Sequence, residues 1–253
     1  MGGSHGSALL LHAPGPLHGI EAHRKLIATV VFVAAVVCTP REQWWAFVGD
    51  AVVVAAVARL AGVSFGALLR RLTIELPFVA FAFMLPIIGT APRVHVAGVA
   101  LSRPGLLAAW AIVAKGTLGV AATVVLASTT PVPKLIAALE RLRVPRTLTA
   151  IMAFMLRYGD VVTSELQRMR IARASRGDDP RWLWQGRGAA ASVGALFVRS
   201  YERGERVHLA MISRGYSTSM PRLGDDGTAR HWALCLAPSI GAVALAVLAW
   251  SVR

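Results

Sequence analysis

Five apolar runs, separated by short polar joints, set the pattern of the chain. They are Leu26–Cys38, Trp44–Val63, Ile74–Ala91, Gly105–Ser128 and Trp232–Trp250. A helix of about 20 apolar residues crosses the ~30 Å hydrocarbon core of a bilayer, so each run predicts a transmembrane helix. The first is short and carries Arg24-Lys25 at its start. The second opens on Trp44-Trp45, a pair suited to the membrane–water interface. The third contains Pro77 and Pro86, which membrane helices tolerate when neighbours satisfy the freed carbonyls. No repeat relates the five runs.

Between the fourth and fifth runs the period changes. "PVPKLIAALERLR", Pro131 to Arg143, predicts a short amphipathic helix with Leu135, Ala138, Leu139 and Leu142 on one face. A long helix is expected from Thr147 to Ser175. There Ile151, Met155, Tyr158, Val162, Leu166 and Met169 recur at three- and four-residue steps. A second long helix is expected from Trp182 to Ser213, with a stripe through Val193, Leu196, Ser200, Gly204, Val207 and Met211. Both are too polar to be ordinary spans, so their stripes need a partner: the membrane interface, the spans or another subunit.

Composition supports the membrane reading. The chain has 253 residues, 55% of them apolar and 16% charged, where a soluble domain has about 25% charged. The formal charge is +14, and 17 of the 27 Lys and Arg fall between Pro131 and His231. Placing that region in the cytoplasm puts Arg24, Lys25, Arg59, Arg70 and Arg71 on the same side. Arg41, Arg93, Arg103 and Arg253 then lie opposite, in keeping with positive-inside orientation. The expected architecture is an all-α polytopic membrane protein. It has about five transmembrane helices and a cytoplasmic set of one short and two long amphipathic helices. Residues 1–25 form a cytoplasmic amino-terminal segment, 26–128 four spans, 129–231 the cytoplasmic helices and 232–253 the last span. The first residues lack the basic start and sustained apolar core of a cleavable signal. A nucleic-acid surface is the poorer account of the charge, because no aromatic-rich binding motif accompanies it.

Catalytic chemistry is sparse. Asp50, Glu75 and Lys115 fall in or near spans and are functional candidates by default. The first two are expected to hydrogen-bond near span ends, while Gly116 and Gly119 suggest close packing around Lys115. With Asp160 they are scattered, which disfavours a lipid-headgroup transferase. "DDGTAR", Asp225 to Arg230, is one residue short of the element such enzymes use and reads as a turn. There is no phosphate-binding loop and no HExxH motif, and no cofactor is assigned to this chain. His5, His12, His18 and His23 cluster near the amino end, and a flexible segment explains them better than a metal site. Cys38 and Cys235 have no metal or redox spacing.

The informative motif occurs twice. Ser175-Arg176-Gly177 closes the first long helix and Ser213-Arg214-Gly215 the second. A basic residue followed by Gly also caps a helix well, so either triplet alone is readable as a plain helix end. Two identical triplets closing two long amphipathic helices favour a role. An arginine at a helix end presents five donors in a rigid fork, matched to a carboxylate or to carbonyls in a partner groove.

The stretches "LHGIEAHRKLIATVVFVAAVVCTP", "PVPKLIAALERLRVPRTL", "LQRMRIARASRG" and "RSYERGERVHLAMISRGY" together resemble the T component of energy-coupling factor transporters, specifically the CbiQ type of cobalt importers. The resemblance covers most of the chain. It implies a non-catalytic coupling subunit that joins a substrate-binding membrane protein to two cytoplasmic ATPase subunits. It also implies that the long helices are coupling helices, each ending in an X-Arg-X motif that docks in one ATPase. Carried over, the docking residues are Ser175, Arg176, Gly177, Ser213, Arg214 and Gly215, with Arg173 as a secondary anchor. Ser replaces the family's usual Ala at the first position. The implied setting is a prokaryotic plasma membrane, and the implied cargo is cobalt for cobalamin synthesis. Nickel, biotin or another vitamin are the alternatives, since the separate substrate-binding subunit holds the cargo.

Overall fold

The computed structural model describes residues 20–89, 93–96, 99–178, 186–216 and 232–251. It divides into two compact units, with the boundary after Ala138 and a return to the first unit before the last helix.

The larger unit is a helical bundle. Helix α1 spans Ala22–Cys38 and α2 Trp44–Leu60. Helix α3, Phe65–Leu72, continues through a 3-10 turn, Thr73–Glu75, into α4, Leu76–Ile88. Pro77 therefore lies in the first turn of α4, where its missing N–H is harmless, and only Pro86 is interior. Two short strands follow, β1 (Arg93–Val96) and β2 (Val99–Ser102), paired antiparallel with Arg93 opposite Ser102. This hairpin adds a small β element to the expected all-helical architecture. Helix α5, Arg103–Thr129, starts directly from β2. Ser102 caps it by accepting from Gly105 N at 3.2 Å, and Pro104 occupies the first turn. Helix α6 is Val132–Arg141 and α9 is Trp232–Ser251.

Helices α1, α2, α5 and α9 enclose the core, and α4 packs along α5. Phe32, Val36, Phe47, Val54 and Leu118 fill it beside Ala35, Ala121, Ala242 and Ala246. Small residues let helices approach closely where lipid supplies no hydrophobic drive. Near Pro86 the approach reaches backbone: a Cβ on Gly105 would lie 2.9 Å from Leu85 C and Pro86 Cα. The continuous stretch Leu68–Ile88 (21 residues) and α5 (27 residues) are long and apolar enough to cross a membrane.

Polar side chains tie this bundle together. Lys25 Nζ donates to Thr129 O at 3.2 Å, and Arg71 donates to Ser128 Oγ at 2.8 Å. Thr117 donates to Glu75 at 3.0 Å, and Gly116 leaves the space that the Glu75 carboxylate fills. Lys115 instead caps α1, donating to Val37 O at 2.6 Å, a favourable place for a cation. A Cβ on Gly119 would meet nothing within 4 Å. Asp50 is fully buried, and neither carboxylate oxygen has a hydrogen-bond partner among the described residues. The expectation that it bonds to neighbours near a span end therefore fails.

The second unit holds α7, Arg146–Ala174, and α8, Arg187–Ile212. Residues 182–185 of the predicted second long helix lie outside the described residues.

Candidate docking ends of two long helices

Helices α7 and α8 end alike, bond for bond. In α7, Gly177 N donates to Ala174 O at 3.0 Å and Asp178 N to Arg173 O at 3.1 Å. In α8, Gly215 N donates to Ile212 O at 2.9 Å and Tyr216 N to Met211 O at 3.0 Å. Both glycines have φ of +80°. These are Schellman motifs, which satisfy the last carbonyls of a helix and need a left-handed residue.

Such closure is not peculiar to the two triplets. Gly62 (φ +72°) ends α2 and Arg143 (φ +64°) ends α6 through the same pair of bonds. The arginine is what differs. The residue before the left-handed position is Ala61 in α2, Leu142 in α6, Arg176 in α7 and Arg214 in α8. Arg176 and Arg214 are exposed, and neither guanidinium meets an ion-pair or hydrogen-bond partner among the described residues. A helix cap needs neither fork, so both remain available to bond elsewhere.

The serines match too. Ser175 Oγ donates to Ala172 O at 3.0 Å, and Ser213 Oγ donates to Ala210 O at 3.0 Å. Each hydroxyl is folded onto its own helix, so Ser presents little more than the Ala it replaces. Replacing Gly177 or Gly215 by Ala forces a Cβ into the left-handed region, at about 1–2 kcal/mol. The expected result of Gly177→Ala or Gly215→Ala is hydrogen exchange about tenfold faster at the Asp178 or Tyr216 amide, respectively.

Arg173 is engaged differently. Its Nη1 lies 3.4 Å from Asp178 Oδ2, and the side chain is only 21% exposed. Gly188, at the start of α8, makes room for this pair: a Cβ there would run into the Asp178 carboxylate. Arg173 thus pairs within the end of α7, packed beside Gly188 at the start of α8, while Arg176 has no partner among the described residues. Farther along, Glu165 of α7 accepts from Arg199 of α8 at 3.1 Å and lies 3.5 Å from Arg203. These contacts make α7 and α8 an antiparallel pair, since residues late in α7 meet residues early in α8. The pairing of Glu202 with Arg206 is present at 3.9 Å, on an exposed face.

Half of the α7 stripe faces outward, with Ile151, Met155 and Leu166 exposed. On α8 the expected stripe turns mostly inward: Leu196 is buried and Ser200, Val207 and Met211 are half-buried, while Val193 and Gly204 are exposed. Phe197, Tyr201 and Leu209 lie outside that stripe and are exposed. Glu165, Asp178, Gly188, Arg199 and Arg203 were not picked out by sequence patterning. Their signal, an acid on one helix and two bases a turn apart on the other, has meaning only once the two helices are paired. Among the described residues no three His, Cys, Asp or Glu side chains gather as a metal site. His5, His12 and His18 lie outside the described residues, and His23 pairs with Glu21 at 3.3 Å. "DDGTAR" also lies outside them.

Residues 15–223 match CbiQ, the cobalt transport protein family. The chain belongs to that family. It is 29% identical over 155 residues to cobalt transport protein CbiQ of Rhodobacter capsulatus, covering 59% of this chain and 61% of that one. It is 25% identical over 226 residues to the energy-coupling factor transporter transmembrane protein EcfT of Staphylococcus aureus, covering 81% of each. An uncharacterized Methanocaldococcus jannaschii protein, MJ1089, is 32% identical over 98 residues, which span 39% of this chain but only 37% of that protein. The chain is therefore a membrane-embedded member of the CbiQ/EcfT transport family.

Proposed function

We propose that this chain is the coupling subunit of an ATP-driven importer of the energy-coupling factor type. It transmits motion from two ATP-binding subunits to a separate substrate-binding membrane subunit. The observation that carries this reading is the pair of matching helix ends, each with an exposed arginine lacking a partner among the described residues. Arg176 and Arg214 are the proposed docking residues, each flanked by its Ser and Gly. Arg173 is assigned a supporting role, because Asp178 already holds it. ATP is bound and hydrolysed in the partner subunits.

Five spans are proposed: α1, α2, α3 with α4, α5, and α9. The amino end and the α6–α8 region then lie in the cytoplasm. Supporting this threading, Lys25 and Arg71 both reach the carboxyl end of α5, while Trp250 meets Cys38 O at 2.9 Å. The first pair gathers basic side chains at one end of the bundle, as a cytoplasmic face requires.

Cobalt ion is the proposed cargo, on the strength of the family description and the Rhodobacter relative. The Staphylococcus relative's name carries no cargo, which favours a division of labour in which the substrate-binding partner selects it. The test is uptake of radiolabelled Co2+ into vesicles holding this chain with its ATP-binding and substrate-binding partners. ATP-dependent uptake that falls to background when this chain is omitted supports the proposal. Uptake of nickel or a vitamin instead would replace the cargo, and ATP-driven uptake without this chain would sink the coupling role.

A further inference from the structure

The geometry points to Glu165 as the positioning residue that fixes the angle between the two docking ends, through a two-point clasp on Arg199 and Arg203. This inference rests on the coupling reading above.

The clasp has an unusual division of exposure. The Glu165 side chain is 14% exposed, whereas Arg199 and Arg203 are 59% and 38% exposed. Arg199 and Arg203 are four residues apart on α8, so they share a face one turn apart. One carboxylate reaches both: Oε1 is 3.1 Å from Arg199 Nη1 and Oε2 is 3.5 Å from Arg203 Nη2. A single pair between partly exposed charges adds little stability. Two contacts from one planar group, made to two points along an axis, restrict how α7 can rotate across α8.

The position of the clasp makes that restriction consequential. Arg176 lies about three helical turns, or about 16 Å, beyond Glu165 along α7. Arg214 lies the same distance, about 16 Å, beyond Arg203 along α8. Because the helices run antiparallel, the two arginines project from the clasp in opposite directions. The clasp sits near the middle of a two-armed lever. A rotation of about 10° there displaces each arm's end by about 3 Å, given arms of that length. A displacement of that size takes a guanidinium out of hydrogen-bonding range.

The pair Arg173–Asp178, seated against Gly188, does not duplicate this control. Both of its members belong to the end of α7, so it makes no ionic link to α8 and leaves the rotation between the helix axes open.

The test uses the whole transporter complex in vesicles. Glu165→Gln keeps the shape and removes the charge. Spin labels at Ala172→Cys and Ala210→Cys, both exposed positions, with Cys38 and Cys235 replaced by Ser, report the separation of the arms. The expected result is that the ATP-binding subunits remain bound and the label distance distribution broadens. Cargo moved per ATP hydrolysed then falls about fivefold or more. Charge reversal, Glu165→Arg with Arg199→Glu and Arg203→Glu, is expected to restore at least half of that ratio and to narrow the distribution. An unchanged ratio with an unchanged distance distribution in Glu165→Gln overturns the inference. So does loss of the ATP-binding subunits from that variant, or failure of the reversed clasp to restore coupling. Failure of the coupling reading is seen separately: Arg176→Glu with Arg214→Glu would then leave capture of the ATP-binding subunits intact, whatever Glu165 does.

Discussion

Arg176→Glu combined with Arg214→Glu is expected to abolish capture of the ATP-binding subunits by this chain. Each single replacement is expected to weaken capture by at least about tenfold, and the pair by more than about a hundredfold. The size follows from the chemistry of a desolvated guanidinium contact. Placing a like charge against the partner's acceptors removes a charge-assisted bond and adds repulsion, a loss of about 2–5 kcal/mol per site. The two ends are far apart along separate helices, so their effects should combine nearly additively. Capture is read by co-purification of the ATP-binding subunits with this chain in detergent. Because Arg176 and Arg214 are exposed and lack partners among the described residues, neither change removes a contact seen within the fold. The variants should therefore keep wild-type yield and thermal stability. Retained capture in the double variant would reduce both triplets to helix caps.

Gly105→Ala is expected to be the most damaging small substitution in the bundle. The added methyl would meet Leu85 C and Pro86 Cα at 2.9 Å. Both are backbone atoms, so no rotamer change relieves the clash and α4 must move away from α5. Overpacking of this kind costs about 1–3 kcal/mol. In a chain of this length that lowers the melting temperature by roughly 2–10 °C. Gly119→Ala is the control, because a Cβ there would meet nothing within 4 Å. It should leave the melting temperature unchanged or slightly raised, since Ala favours a helix interior. Equal effects at the two glycines, by thermal unfolding in detergent, would mean that the α4–α5 approach is looser than described.

Helix ends were legible to within a few residues because they depend on local chemistry. Pro and Gly punctuate the chain, and Ser175-Arg176-Gly177 announces a cap without reference to anything distant. The hairpin formed by β1 and β2 had a local signal as well, in Val94, Val96, Val99 and Leu101 at alternating positions, but short strands inside a helical pattern are easily absorbed into a loop. Lateral partners were not legible. Gly116 and Gly119 look equivalent beside Lys115, yet Gly116 accommodates Glu75 and Gly119 faces nothing. Lys115 turns to the end of α1. Asp50 was expected to find a donor and has none among the described residues. Each outcome depends on which helices stand side by side, a property spread over the whole chain.

The pairing of α1 with α9 bears on how the protein is made. Ser239 donates to Ala28 O at 2.8 Å and Trp250 to Cys38 O at 2.9 Å, contacts that join residues 211 and 212 positions apart. At a ribosomal pace of roughly 5–20 residues per second, α1 emerges on the order of ten to forty seconds before its neighbour exists. Over that interval the growing chain holds α1, α2 and α5 without the helix that closes around them. Completion of the bundle is thus a late event of biogenesis, timed by translation of its carboxyl end. A nonsense mutation between Tyr216 and Trp232 would leave a chain with both proposed docking arginines but an unclosed bundle, a natural substrate for membrane quality-control proteases.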